Sequence, residues 1–285
     1  MIDTILAALV SRHHAALAGA RYTENGVELS IGEGLWATAD AVGPYRHEFF
    51  DSATGQAAAF VTVTEGATRS IMALRVKASG QRVSEIEAMI ARPPLFGGAS
   101  GFGDGAAQLD ASAGPDSGWF GDAGPRLPRD DLQRVADAYF TGLERNDGKG
   151  DYPFAVDCIR IENGFRTTDV PPAPGAGKTP YLEAFRALSA RAQFETGFFR
   201  FVTRIRERRF PVIDEARGLV FAFAFFDHDG TVRDYALADG TPRRGIDRPF
   251  SWMIAEAFRI ERGLLTRIEA LMAEVPYGMR SGWPA

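Results

Sequence analysis

The sequence holds one cysteine, Cys158, and four histidines, His13, His14, His47 and His228. A single cysteine excludes an internal disulfide and fits a reducing compartment. The histidines offer no spacing that builds a metal cage, so no metal is expected. Long apolar runs are lacking as well: no stretch reaches the roughly 18 residues that a membrane span needs. The opening Met1-Ile-Asp-Thr brings no basic segment leading to a small-residue cleavage site. Positive charge is not in excess either. The formal charge of -5 repels phosphate backbones, and no run of Lys or Arg is interleaved with aromatics. The reading is a soluble, cytoplasmic protein with neither nucleic acid nor membrane as partner.

What is present is material for two cores. The chain has 285 residues, 45% of them hydrophobic, with 21 Phe. Residues 93–128 are rich in Gly, Ala, Ser, Asp and Pro, a composition that reads as a flexible connector. It separates a first domain, 1–92, from a second, 129–285. The flanking parts echo one another. Arg21-Tyr-Thr-Glu-Asn-Gly26 returns as Arg160-Ile-Glu-Asn-Gly164, Asp51-Ser-Ala-Thr-Gly55 as Asp214-Glu-Ala-Arg-Gly218, and Ile86-Glu-Ala-Met-Ile-Ala91 as Ile268-Glu-Ala-Leu-Met-Ala273. The offset grows from 138 (Glu24 to Glu162) to 163 (Asp51 to Asp214) to 182 (Glu87 to Glu269). Each match alone marks an ordinary turn. Three in one order argue for duplication with insertions in the second copy.

The element order is also shared. Leu132, Val135, Ala136, Tyr139 and Leu143 fall at helical spacing, with Asp130 and Asp131 suited to the helix N-terminus. Strands are expected over 158–162, 204–211, 219–226, 252–260 and 264–274. In the first half a helix over 2–11 precedes strands over 21–29, 45–50, 57–64, 69–76 and 83–91. Early helices with late strands joined by turns give an α+β fold, helices packed on one face of an antiparallel sheet.

The segments Tyr139-Phe-Thr-Gly-Leu-Glu-Arg-Asn-Asp147, Val156-Asp-Cys-Ile-Arg-Ile-Glu-Asn-Gly164 and Ala255-Glu-Ala-Phe-Arg-Ile-Glu-Arg-Gly263 resemble nuclear-transport-factor-2-like (SnoaL-like) domains. The resemblance covers nearly the whole chain outside the connector and implies two cone-shaped domains, each with early helices on a curved sheet. The fold hosts isomerases, cyclases, dehydratases, epoxide hydrolases and cofactor-free lyases, so it does not fix an activity. Position by position, the match to ketosteroid isomerases implies roles for three residues: Tyr139 as the helix tyrosine, Glu162 as the base and Glu256 as the protonated member of the oxyanion hole. Taken singly, Tyr139 reads as a core tyrosine and Glu162 as a stabiliser of the Asn163-Gly164 turn. Glu256 interrupts the apolar run from Phe250 to Ile260, where a carboxyl costs free energy unless satisfied.

The first half departs from that pattern. Aligning Leu9 with Leu143 puts Ile5 opposite Tyr139, and aligning Arg75 with Arg259 puts Met72 opposite Glu256. Only Glu24 answers Glu162, so the first half reads chiefly as a structural partner, with Tyr22, Glu24, Trp36 and His47 as lining for a different pocket. In the second half Asn163, Phe198, His228 and Trp252 are the expected substrate-binding residues. Alternation puts Phe221, Phe223 and Phe225 on one sheet face and Ala222 and Ala224 on the other, leaving room for a ligand or for a second sheet in a homo-oligomer. A Phe-rich insert, Phe185 to Phe201, suits a lid over a small hydrophobic or aromatic substrate, or a helix packed on the cone. Two glycine runs, Gly97 to Gly105 and Gly175-Ala-Gly-Lys-Thr179, lack the strand and helix that a phosphate or dinucleotide loop requires.

The reading that joins these residues is a cofactor-independent acid–base lyase, catalysing dehydration or loss of a small carbonyl fragment. A double-bond isomerase and a non-catalytic ligand-binding or assembly domain are the alternatives. Epoxide hydrolysis is a third, with Arg160 or Arg209 as the cation.

Overall fold

The computed structural model describes residues 1–80, 82–93, 104–171 and 180–284. Most of the Gly97 to Gly105 run, and all of 175–179, lie outside the described residues. The first half runs α1 (Ile2–Ser11), β1 (Arg21–Glu24), β2 (Val27–Leu29), α2 (Leu35–Thr38), β3 (Ala41–Asp51), β4 (Gln56–Glu65), β5 (Thr68–Ser79) and β6 (Arg82–Ala91). After α3 (Gly105–Ser112) the second half follows the same plan. It runs α4 (Arg129–Glu144), β7 (Phe154–Glu162), β8 (Phe165–Arg166), α5 (Pro180–Arg186), α6 (Ala190–Glu195), β9 (Arg204–Asp214) and β10 (Leu219–His228). A small hairpin, β11 (Asp234–Ala236) with β12 (Pro242–Arg244), precedes β13 (Phe250–Glu261) and β14 (Leu264–Val275).

The two six-stranded sheets share one order, β2-β1-β6-β5-β4-β3 and β8-β7-β14-β13-β10-β9. The α+β class holds, but the sheets are mixed where antiparallel sheets were expected: β1 lies parallel to β6, and β7 to β14. The last strand of each hairpin series lands beside the first strand of its half and runs with it.

The likeness reaches single residues. Asn25 and Asn163 each turn in the left-handed region, φ 46°, which Asn tolerates better than most side chains. Asn25 Nδ2 donates to Ile90 O at 3.0 Å while Ile90 N donates to Asn25 Oδ1 at 2.7 Å. Asn163 makes the same pair with Met272, at 3.1 and 2.7 Å. Register also corrects the alignment of the halves. Glu24 pairs with Ala88 and Ala88 with Leu74; Glu162 pairs with Ala270 and Ala270 with Glu256. Leu74, and not Met72, therefore stands where Glu256 stands. The Arg75 to Arg259 match is two residues out of step, and the equivalent position is apolar in either case.

The connector is not a bare linker. Asp104 Oδ1 accepts from Ala107 N at 2.9 Å and caps α3. Ala106 and Leu109, three residues apart, are buried, as is Trp119 in the turn that follows. A Cβ added to Gly105 would meet Asn163 O at 1.7 Å. Only glycine lets α3 seat against the turn after Glu162.

The two sheets pack on each other through one apolar layer. Phe221, Phe223 and Phe225 of β10 meet Tyr45, Phe49 and Phe60 of the first half, with Phe49 and Phe60 rings 5.3 and 5.1 Å from Phe221. The first half thus covers the phenylalanine face of β10, while the opposite face, that of Ala222 and Ala224, packs with the α4 side chains Leu132, Ala136 and Tyr139. Buried charges cross this layer in pairs. Arg209 holds Glu87 through both terminal nitrogens, and Arg75 Nε donates to the same carboxylate at 2.8 Å. Removing one partner of such a set leaves buried charge uncompensated. Glu87→Ala is expected to destabilise the chain by about 3–5 kcal/mol in urea titrations, whereas an effect within about 0.5 kcal/mol, as at a free surface, contradicts this packing.

Candidate functional site

The site begins with strand register. Glu162, Ala270, Glu256 and Ala222 sit opposite one another on β7, β14, β13 and β10. Cross-strand neighbours project to the same face, so the two carboxyl groups stand two strands apart with alanine between and beside them. Opposite this row lies α4, whose buried stripe Leu132, Ala136, Tyr139, Phe140 and Leu143 follows helical spacing. Tyr139 is wedged among Phe154, Phe194 and Phe258, ring centroids 5.9, 5.4 and 5.3 Å away. Its hydroxyl lies on the same cavity as Glu256.

Tyr139, Glu162 and Glu256 line one cavity with Leu143, Phe199, Phe226, Trp252 and Ile254. Its volume is about 30 Å³, room for roughly two waters where one needs about 10–15 Å³. A bulky ligand therefore enters only if a wall such as Phe199 moves.

The environment divides the two carboxyl groups. Glu256 is buried in apolar surroundings, and that burial, reinforced by the nearby Glu162 charge, pushes it up to about 8 against the pull of Tyr139 and Arg160. It is protonated at neutral pH and able to donate. Glu162 keeps 18% of its side chain exposed and faces Arg160 Nε at 3.4 Å. Burial, and then the Glu256 charge, likewise raise the Tyr139 hydroxyl well above its ordinary value, so it too is a donor. The cavity presents two neutral donors and one ion-paired carboxylate.

Arg160 joins this trio, in a place the sequence reading gave it only for epoxide hydrolysis. It is two residues before Glu162 on β7, the spacing that puts two side chains on one face. Arg209, the other cation considered, belongs to the buried pairs between the sheets.

Other expected residues divide. Trp252 lines the cavity. His228 lies behind it, 4.6 Å from the Trp252 ring and stacked on Phe250 at 4.2 Å. Burial lowers it to about 4, leaving a neutral ring. Phe198 does not reach the cavity: in the short helical turn Phe198–Phe201 adjacent residues point apart, so Phe198 packs on Phe185 at 4.4 Å and Phe199 takes the wall. Asn163 is spent on the β14 backbone.

In the first half Tyr22 and Trp36 line a space of only about 10 Å³. Glu24 there is fully engaged, accepting from Tyr22 Oη at 2.9 Å and Leu35 N at 2.7 Å while pairing with Arg92 at 2.8 Å. His47 is not in that pocket. Alternation with Tyr45 and Phe49 turns it to the other sheet face, where Nδ1 meets Glu269 Oε2 at 2.7 Å. Among the described residues no three His, Cys, Asp or Glu side chains are placed to hold a metal ion, and no helix is long and apolar enough to cross a membrane.

Fold and site together define an α+β protein of two like sheets, the second of which floors an apolar cavity with polar groups. The chain belongs to the DUF8021 family, a domain of unknown function whose model matches residues 125–272. That span contains Tyr139, Arg160, Glu162 and Glu256. No curated protein matches the chain. Among solved structures, a de novo designed protein with curved beta-sheet aligns at a TM-score of 0.28 and 11% identity, over 52% of this chain and 88% of that one.

Burial of Glu256 carries a signed consequence. Its folded value lies above the ordinary 4.5, so its cost to stability is absent below 4.5 and grows as pH rises to about 8. Glu256→Gln, neutral throughout, is expected to gain on the parent across that window by an amount on the order of a few kcal/mol. Denaturant titrations at several pH values measure it; a pH-independent difference contradicts the burial.

Proposed function

We propose that the second half is a cofactor-independent acid–base lyase of the nuclear-transport-factor-2-like type, acting on a small hydrophobic or aromatic molecule. The supporting observation is the convergence of a protonated carboxyl, a neutral tyrosine and an ion-paired carboxylate on one apolar cavity. Glu162 removes a proton from carbon or hydroxyl. Tyr139 and Glu256 donate to the oxygen on which negative charge develops, and apolar walls strengthen those bonds. Arg160 holds Glu162 in place. In dehydration Glu162 returns the proton taken from carbon to the departing hydroxyl, which leaves as water; in loss of a carbonyl fragment the carbon–carbon bond breaks as the hydroxyl gives its proton to Glu162, which then protonates the enolate carbon. The first half acts as a built-in partner, and the free buried Cys158 is in keeping with the cytoplasm.

A double-bond isomerase uses the same three groups and returns the proton to another carbon, so product analysis separates the two. A ligand-binding role without catalysis is favoured by one observation, the small volume of the cavity.

The test follows proton exchange from carbon in deuterated water over a panel of aromatic β-hydroxy ketones. With a ketone that the parent turns over, Glu162→Gln is expected to fold normally and slow exchange by about 100-fold or more. Tyr139→Phe is expected to cost on the order of 10–1000-fold. Full exchange activity in Glu162→Gln contradicts the assignment.

A further inference from the structure

The second-half site holds more hydrogen-bond donors than the chain supplies acceptors for. Arg160 is 1% exposed and carries a fork of N–H donors. Its Nε donates to Thr167 Oγ1 at 3.2 Å and faces Glu162, and its Nη2 donates to Gln193 Oε1. Its Nη1 has no partner among the described residues. The guanidinium is not free to swing toward one. Gln193 is itself fixed, its Nε2 donating to Thr167 O at 2.6 Å and Phe185 O at 2.9 Å. The Phe199 ring, a wall of the cavity, lies 5.4 Å from the guanidinium carbon.

Arg160 thus lies directly behind two of the cavity walls, Glu162 at 3.4 Å and Phe199. Glu256 Oε2 is likewise buried without a partner. Buried polar atoms left unpaired in a rigidly supported cluster mark a place completed by something from outside the chain.

We infer that the cavity binds a carboxylate, one oxygen accepting from Arg160 Nη1 and the other meeting the side chain of Glu256. The remainder of the ligand is apolar or aromatic and meets Leu143, Ile254 and Trp252. The cavity of about 30 Å³ takes the two oxygens in place of roughly two waters, and the apolar remainder enters as the Phe199 wall moves aside. This rests on the acid–base reading of the same pocket and narrows its substrate to a small apolar acid. An entering carboxylate meets one cation, Arg160 from β7, and two neutral donors, Tyr139 from α4 and Glu256 from β13. The single anion is Glu162, at the wetter side.

Benzoate, benzamide and benzyl alcohol are alike in size and differ in the group that Arg160 would read. Calorimetric titration into the full chain at neutral pH is expected to show benzoate binding roughly tenfold or more tightly than either neutral ring, as suits a hydrogen bond to a charged acceptor. Arg160→Met removes that preference, and Arg160→Lys, which keeps the charge, retains part of it. Affinity for benzoate falls as pH rises through about 8, where Glu256 ionises, and is flat in Glu256→Gln. Equal binding of the three rings, no binding of benzoate, or a benzoate preference that survives Arg160→Met overturns the inference. Glu162→Gln keeps the preference whether or not it is active, so failure of the acid–base reading and failure of this one are told apart.

Discussion

A carboxyl group set into an apolar strand and roofed by an aromatic helix face is forced to choose between a large desolvation cost and neutrality. Glu256 is in that position, and its protonated state organises the second half. The alanines on either side, Ala222 and Ala270, leave it the space that a larger pair would fill. Tyr139 closes over it from α4, and the ion-paired Glu162 sits one strand beyond Ala270. Two carboxyl groups of one residue type thereby become a donor and an acceptor through surroundings alone.

The first half shows the same frame carrying no such choice. Leu74 replaces Glu256, Ile5 lies where Tyr139 would be, and Glu24 is neutralised by Arg92 and held by Tyr22 and the Leu35 amide. What this half contributes lies on its other sheet face. Tyr45 and His47 bind the two oxygens of Glu269, the residue before Ala270. The strand that separates Glu162 from Glu256 is therefore pinned from behind by the first half. The site is built by one sheet and steadied by both.

Much of this was legible in the chain. Helical spacing along α4 and the long late strands were readable because apolar periodicity reports burial directly, and Glu256 stood out as a charge inside an apolar run. The echo of Asn25 in Asn163 was readable as a repeat, yet its role as a backbone clamp was not, because an Asn-Gly turn looks alike whether its side chain is spent or free. Three features depended on tertiary contact. The connector helix was hidden by composition, although Asp104 and the spacing of Ala106 and Leu109 were its signals. The exchange of Phe198 for Phe199 in the wall depends on the phase of a short turn, which alone tells the neighbours apart. His47 belongs to the opposite sheet face, against Glu269, and no local pattern declares which face of β3 meets the second half.

The account stands on one protonation state. Infrared difference spectroscopy of the full chain, with Glu256→Gln as the reference, reports a protonated carboxyl directly through its C=O stretch. The expected result is a band present at neutral pH, absent from the variant, that titrates away near 8. A Glu256 signal that is already that of a carboxylate at neutral pH, titrating in the ordinary carboxyl range, would contradict the central claim and with it the division of roles between Glu256 and Glu162.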